Sequence, residues 1–377
     1  MLNEEMKNYI RDSYEETLQL IRDLCAIPAP SHHEERRAEF CKNWFIANGF
    51  TGVSVDDALN VIAPVNMKDD KEPVTVVMAH TDTVFPDMEP MPITEDEEFI
   101  CSPGVTDDTA NLAVMMICSR YFKNHFPAGK GAYLFIANSG EEGLGNLKGT
   151  RKIMETYGSR IKEFITLDCC NFTTLYCDAV GSHRYKVTVR TEGGHSFASF
   201  GNRNAIATLA SMINLLYSVK VPVEGNSRTT YNVGLISGGT SVNTIAQDAR
   251  MMYEYRSDNR NCLAKMQDLF EKTVETFRAA GVEVEVEKVG DRPCASPVDP
   301  ERFNALKSRA KKSLREVSEF EYEEKSASTD CNIPLSMGVP AIGFGVVIGK
   351  GAHTREESLV KESVKTGSSI FLNFLYQ

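Results

Sequence analysis

The sequence predicts an α/β protein: a mostly parallel sheet with helices on both faces, plus an inserted ferredoxin-like α+β domain. Three observations carry this expectation. Apolar, strand-like runs alternate with helical patterns through residue 168 and again after Pro293, as a parallel sheet built from β-α units requires. Between these stretches the order becomes β-α-β-β-α-β, the pattern of a ferredoxin-like unit. Charged or imidazole side chains recur where the strands of the larger domain end, the edge at which open parallel sheets bind ligands. The expected division is 1–181 and 291–377 for the larger domain and 182–290 for the insertion.

Each element follows from its local pattern. Residues 9–26 and 34–48 read as helices, separated by Pro28 and Pro30. Short strands are expected at 51–55 and 60–65, then a buried strand at 74–79 in the run VTVVMA. The acidic, proline-bearing stretch 87–98 reads as a solvated rim. A helix at 109–126, a strand at 132–138, a helix near 146–157 and a strand at 164–168 follow. The insertion carries strands at 184–191, 229–236, 248–256 and 282–288, with helices at 203–218 and 261–280. A helix near 301–315 and a strand at 341–346 complete the larger domain.

Composition narrows the function. Of 377 residues 42% are apolar, enough for two cores, and the net charge is −11. That charge argues against a nucleic-acid partner and against an anionic membrane surface. No apolar run is long enough to span a bilayer, and the N-terminal stretch is polar and amphipathic, without a signal-peptide core. The expectation is a cytoplasmic protein. Its ten cysteines are scattered through apolar contexts with no CxxC pair, which reads as reduced core thiols.

The strand exits carry the chemistry. His80 and Asp82 leave the first strand, spaced so that both project to one side of an extended chain. Asp107 and Asp108 precede the helix near 109, where Asp107 alone would read as a cap. Glu141 and Glu142 follow the strand at 132–138, Asp168 ends the strand at 164–168, and His353 follows the last strand. Each alone is a polar turn, but so many carboxylates at one edge would repel one another without a cation. Imidazole and carboxylate donors suit Zn²⁺, Co²⁺ or Mn²⁺. Their number suits two metals sharing a carboxylate, with a further carboxylate to move a proton.

In order along the chain stand HTD at 80–82, GVTDD at 104–108, GEEG at 140–143, Asp168, GGHS at 193–196 and GAHT at 351–354. NAI at 204–206, VNTIA at 242–246 and YEYR at 253–256 accompany them. The chain resembles the dinuclear-zinc metallopeptidase family of peptidase T, the bacterial dipeptidases, aminoacylase and succinyl-diaminopimelate desuccinylase. That resemblance implies two divalent metals, zinc before cobalt or manganese. His80 and Asp168 would hold one, Glu142 and His353 the other, and Asp107 would bridge them. Glu141 would be the general base acting on a water between the metals, and Asp82 would orient His80. The inserted domain would act as a lid and dimer contact, with His195 and Asn243 stabilising an oxyanion and Arg256 clamping a substrate carboxylate. Where the family carries Lys-Gly or Lys-Ala-Gly after the paired aspartates, this chain has TAN at 109–111.

The resemblance implies hydrolysis of short peptides. In that family Asp at the position of Asp168 accompanies aminopeptidases and dipeptidases, and Glu accompanies carboxypeptidases and deacylases. The alternative is an N-acyl-amino-acid amidohydrolase with the same site. A more distant one is a non-catalytic dimeric scaffold, against which the intact set of ligands speaks. Other polar residues have plainer readings. His32 and His33 belong to the loop before a helix, and His125 to a helix C-terminus. His183 suggests no role, and Asp330 either reads a substrate amine or caps the next turn.

Overall fold

In a computed structural model describing residues 2–69 and 71–377, the chain divides into two compact units, 1–179 with 296–377, and 180–295. The first is built on an eight-stranded sheet in the order Ser54–Val55, Val61–Val65, Ala132–Asn138, Val74–His80, Ile161–Thr166, Ala341–Phe344, Thr174–Ala179, Glu323–Ala327. Val74–His80 is parallel to both its neighbours, and Ile161–Thr166 is parallel to Ala341–Phe344. Antiparallel pairs occur toward the two edges.

Every residue of Val74–His80 and of Ala132–Asn138 is buried. A strand covered on both faces has no polar side, so its sequence is apolar throughout rather than alternating. Val77, Ala79, Phe135 and Ala137 share a core with the helices Tyr14–Cys25, Ala110–Asn124 and Ser363–Tyr376. On the opposite face the Thr150 hydroxyl of the helix Lys148–Tyr157 donates to Met78 Sδ at 3.5 Å. Register then levels the strand ends. His80 pairs with Asn138, and the Leu167 N–H donates to the Met78 carbonyl at 2.8 Å.

Several elements differ from expectation. The predicted helix 9–26 is two helices, Glu4–Asp12 and Tyr14–Cys25, broken at Ser13. The strand expected at 164–168 runs Ile161–Thr166, so Asp168 lies two residues beyond it. The strands Thr174–Ala179 and Glu323–Ala327 have too few consecutive apolar residues to announce themselves. The C-terminal helix Ser363–Tyr376 is masked by its serines and glycine. That glycine is required: a Cβ on Gly367 would overlap the Val346 carbonyl, so the helix lies directly on the chain there. The 87–98 stretch is no simple rim. Met91 is buried, and Glu95 pairs with Arg22 and Lys361.

The second unit is a four-stranded antiparallel sheet ordered Thr229–Gly238, Asp248–Ser257, Gly181–Arg190, Glu283–Arg292. Ala205–Ser218 and Arg260–Ala279 pack on one face over Tyr185, Val187, Val189, Met251 and Tyr253. Connectivity and strand order are those of a ferredoxin-like fold. Its edge strand Thr229–Gly238 leaves Leu235 and Ile236 exposed. Among the described residues no helix is long and apolar enough to cross a membrane.

Candidate active site

The levelled strand ends of the first unit bring distant residues to one point. His80, the last residue of its strand, is buried. Its Nδ1 lies 3.0 Å from the Asp82 carbonyl and 3.6 Å from the Asp82 carboxylate. Nδ1–H therefore donates to Asp82, so that in the neutral ring the lone pair lies on Nε2, the nitrogen that faces the site. That Nε2 is 3.1 Å from Asp107 Oδ1, while Asp107 Oδ2 is 3.0 Å from His353 Nε2. His353 Nε2 is also 3.1 Å from Glu142 Oε1. One donor atom each from His80, Glu141 and Asp168 lie within 4.8 Å of one another, as do those from His80, Asp107 and Glu142.

Buried polar contacts hold the loops that carry these groups. The Asp82 carboxylate accepts the N–H groups of Glu141 and Glu142, both at 3.0 Å, and the Ser31 hydroxyl at 2.6 Å. Asp82 thus fixes the tandem-glutamate turn as well as sitting beside His80. Asp107 has φ −120° and ψ 85°, outside the helix that follows, and is joined to Asp108 by a cis peptide. It is not a helix cap. The Asp108 carboxylate accepts the His80 N–H at 2.9 Å.

Sequence reasoning missed Arg37, which is fully buried. It donates to the carbonyls of Ile27 and Thr81, both at 2.9 Å, and to the Thr109 hydroxyl at 3.1 Å. It thereby ties the His80 exit to the start of the helix beyond Asp108. The signal was present: Arg37, Cys41 and Phe45 recur at the spacing of one buried helix face, where a cation needs acceptors.

The electrostatics call for positive charge. Burial, followed by the Glu141 charge, pushes Asp168 well above the usual carboxylate range. Burial raises Asp108 likewise, and lifts Glu142 to about 7. Burial also opposes ionisation of Asp107, but hydrogen bonds from His353 and His80 outweigh it and hold that carboxyl low. Burial disfavours a charged His80, yet its bond to Asp107 and the charges of Asp108 and Asp168 raise it well above the ordinary imidazole value. Hydrogen bonds to Asp107 and Glu142 lift His353 to about 10. Two imidazoles drawn toward the cationic form among converging carboxylates are a donor set that divalent metal ions fit.

The remaining predicted residues lie in the second unit. His195 is exposed, in a short pairing of Gly194–His195 with Thr244–Ile245. Its Nδ1 accepts the N–H groups of Phe197 and Ala198, both at 3.3 Å, which leaves the proton on Nε2. Asn243, also exposed, accepts the Ser241 hydroxyl at 2.7 Å, and its carbonyl accepts the Ser196 N–H at 3.0 Å. Arg256 pairs with Glu254 at 3.0 Å.

Other polar residues have local explanations. His32 and His33 are exposed, and His32 Nε2 faces the Leu144 carbonyl at 3.2 Å. His125 caps its helix and stacks on Tyr121. His183 lies between the Tyr255 hydroxyl at 2.8 Å and Asp291 at 3.3 Å. Asp330 is not a cap. It is fully buried and accepts from the Thr150 hydroxyl and from Asn138 Nδ2 at 2.6 Å, and burial, then Glu141, raises it to about 7.

Known proteins share this architecture. The aminopeptidase PepT of Bacillus cereus superposes with a TM-score of 0.71 at 22% identity, covering 96% of this chain and 98% of that one. A tripeptidase of Staphylococcus aureus gives 0.73 at 22% identity over 96% and 97%. At those identities the likeness is one of fold. A probable carboxypeptidase of Trichophyton verrucosum is 24% identical over 66% of this chain and 59% of its own length. A succinyl-diaminopimelate desuccinylase of Pseudomonas fluorescens is 26% identical over 46% and 48%. The chain thus spans about half the length of these curated relatives. Residues 76–377, which include every candidate ligand named above, match the description Peptidase family M20/M25/M40, and the chain belongs to that family.

Proposed function

We propose that this protein hydrolyses the peptide bond of short peptides, as an aminopeptidase, dipeptidase or tripeptidase with two divalent metal ions. The observation that carries the reading is Asp107, whose two carboxylate oxygens each face a different histidine at 3.0–3.1 Å. His80 and Asp168 would hold one ion, Glu142 and His353 the other, and Asp107 would serve both. Zinc suits these donors, as do cobalt and manganese. When bound, the ions would polarise the scissile carbonyl and lower the pKa of water.

The chain's own groups do the rest. Glu141 stands beside the His80–Asp168 group. It takes the proton of the attacking water and returns it to the leaving amine. Asp82 keeps His80 in the tautomer that presents Nε2 and holds the turn that presents Glu141. The Nε2–H of His195 donates to the developing oxyanion, with Asn243 beside it. Arg256 exchanges Glu254 for the substrate carboxylate, a bidentate partner for guanidinium.

The exposed edge strand with Leu235 and Ile236 supports a homodimer formed through the second unit. Ten free cysteines support a reducing, cytoplasmic setting. One relative's name, a desuccinylase, favours a second reading: an N-acyl-amino-acid amidohydrolase using the same groups. Assays on dipeptides, tripeptides and N-acyl amino acids separate the two. Preference for free-amino peptides, lost in chelator and restored by Zn²⁺, Co²⁺ or Mn²⁺, is the expected result. Full turnover in metal-free protein would refute both readings.

A further inference from the structure

Glu357 belongs to the same turn as His353, four residues on, and is fully buried. Its Oε2 accepts the Gly104 N–H at 2.9 Å. Its Oε1 accepts the N–H groups of Thr106 at 2.7 Å and Asp107 at 2.9 Å, and the Thr106 hydroxyl at 2.6 Å. Its backbone carbonyl accepts the Ser102 N–H at 3.1 Å. All these donors come from the loop that ends in Asp107. Gly104 at φ 75° lets that loop curl, so that successive N–H groups converge on one point.

We propose that Glu357 is a positioning residue that sets Asp107, and that the 351–357 turn thereby fixes both the shared carboxylate and one of its histidines. The inference rests on the two-metal reading. Asp107 must aim one oxygen at His80 and the other at His353, and its N–H, held by Glu357, sets the backbone from which that side chain departs. Every group that faces the Glu357 carboxylate is a donor. A glutamine there would turn its NH₂ against one of those donors.

The test is a Co²⁺ titration of chelator-stripped protein, read by visible absorbance. Wild type should bind two ions per chain. Glu357→Gln should need roughly 10–100-fold more free Co²⁺ to fill the site, the usual cost of losing a group that orients a metal ligand. Its turnover should return at excess metal with KM unchanged, which a general loss of fold would not allow. A wild-type stoichiometry below two would remove the two-metal reading, and the role of Glu357 with it. Two ions in wild type and an unshifted titration in Glu357→Gln, whether or not stability falls, would overturn the role of Glu357 alone. If Glu357→Gln does not fold, Thr106→Val removes one of the four side-chain contacts. It should shift the titration in the same direction by a smaller factor, and an unshifted curve overturns the proposal.

Discussion

His80 and His195 both lie in β elements, and the molecule treats them differently. His80 is buried, with Nδ1 against Asp82, Nε2 against Asp107 and its N–H on Asp108. His195 is exposed in a two-residue pairing, follows two glycines at φ 64° and 133°, and accepts the Phe197 and Ala198 N–H groups through Nδ1. A metal ligand must hold its lone pair within tenths of an ångström, and buried acceptors supply that constraint. A donor to a transient charge needs an unoccupied N–H and freedom to arrive.

If that contrast is right, substitutions in the two regions fail differently. The largest effect belongs to the first. Glu141→Gln should lower turnover by on the order of 10²–10⁴-fold, the range of general acid–base catalysis, with metal content intact by elemental analysis. Glu142→Gln should instead lose metal. Metal loss at Glu141 with retention at Glu142 would exchange their roles.

His195→Ala should cost about 10²–10³-fold in turnover, as for one oxyanion donor, with cobalt stoichiometry unchanged. Mixing Glu141→Ala and His195→Ala chains sharpens the point. Activity recovered on reassortment places the donor on the partner's site, and none recovered from proven heterodimers keeps it within one chain. Arg256→Ala should raise KM for substrates with a free carboxylate by roughly 10–100-fold, the scale of a lost charged hydrogen bond. An equal effect on amidated peptides would deny it that role.

The smallest effect is graded with pH. His353 is lifted to about 10 and His80 is also raised, so metal-free protein holds protons there at neutral pH. Protonation of His353 stabilises metal-free protein fully below its ordinary value of 6.5, and the contribution is lost as pH rises through about 10. Metal needs the neutral rings, so its affinity should run the opposite way and weaken as pH falls, by up to about tenfold per pH unit for each proton displaced. Titration calorimetry in buffers of different ionisation enthalpy should detect protons released on binding. No release near neutral pH would contradict the reading.

Much of the first region was legible because its residues sit at the ends of recognisable strands. His80, Glu141 and Glu142 follow runs whose burial is written in their apolar continuity. Glu357 was not legible, and Arg37 was legible only through the buried helix face it shares with Cys41 and Phe45. Taken singly, Arg37 reads as an ordinary helix cation and Glu357 as one of two adjacent glutamates in a polar turn. Their importance comes from what they face, and a side chain's partners are not encoded next to it.

The sequence by itself determined the alternation of strands and helices, the ferredoxin-like insertion, and the presence of imidazoles and carboxylates after strands. Those are properties of short windows, set by side-chain period and backbone propensity. Tertiary structure alone decided which of them meet. Asp107 reaches His80 across 27 residues, Glu142 reaches His353 across 211, and Glu357 closes on the Asp107 loop across 250. Those meetings depend on parallel register, which levels strand ends from separate parts of the chain. They depend also on the burial that obliges each polar group arriving there to find a partner.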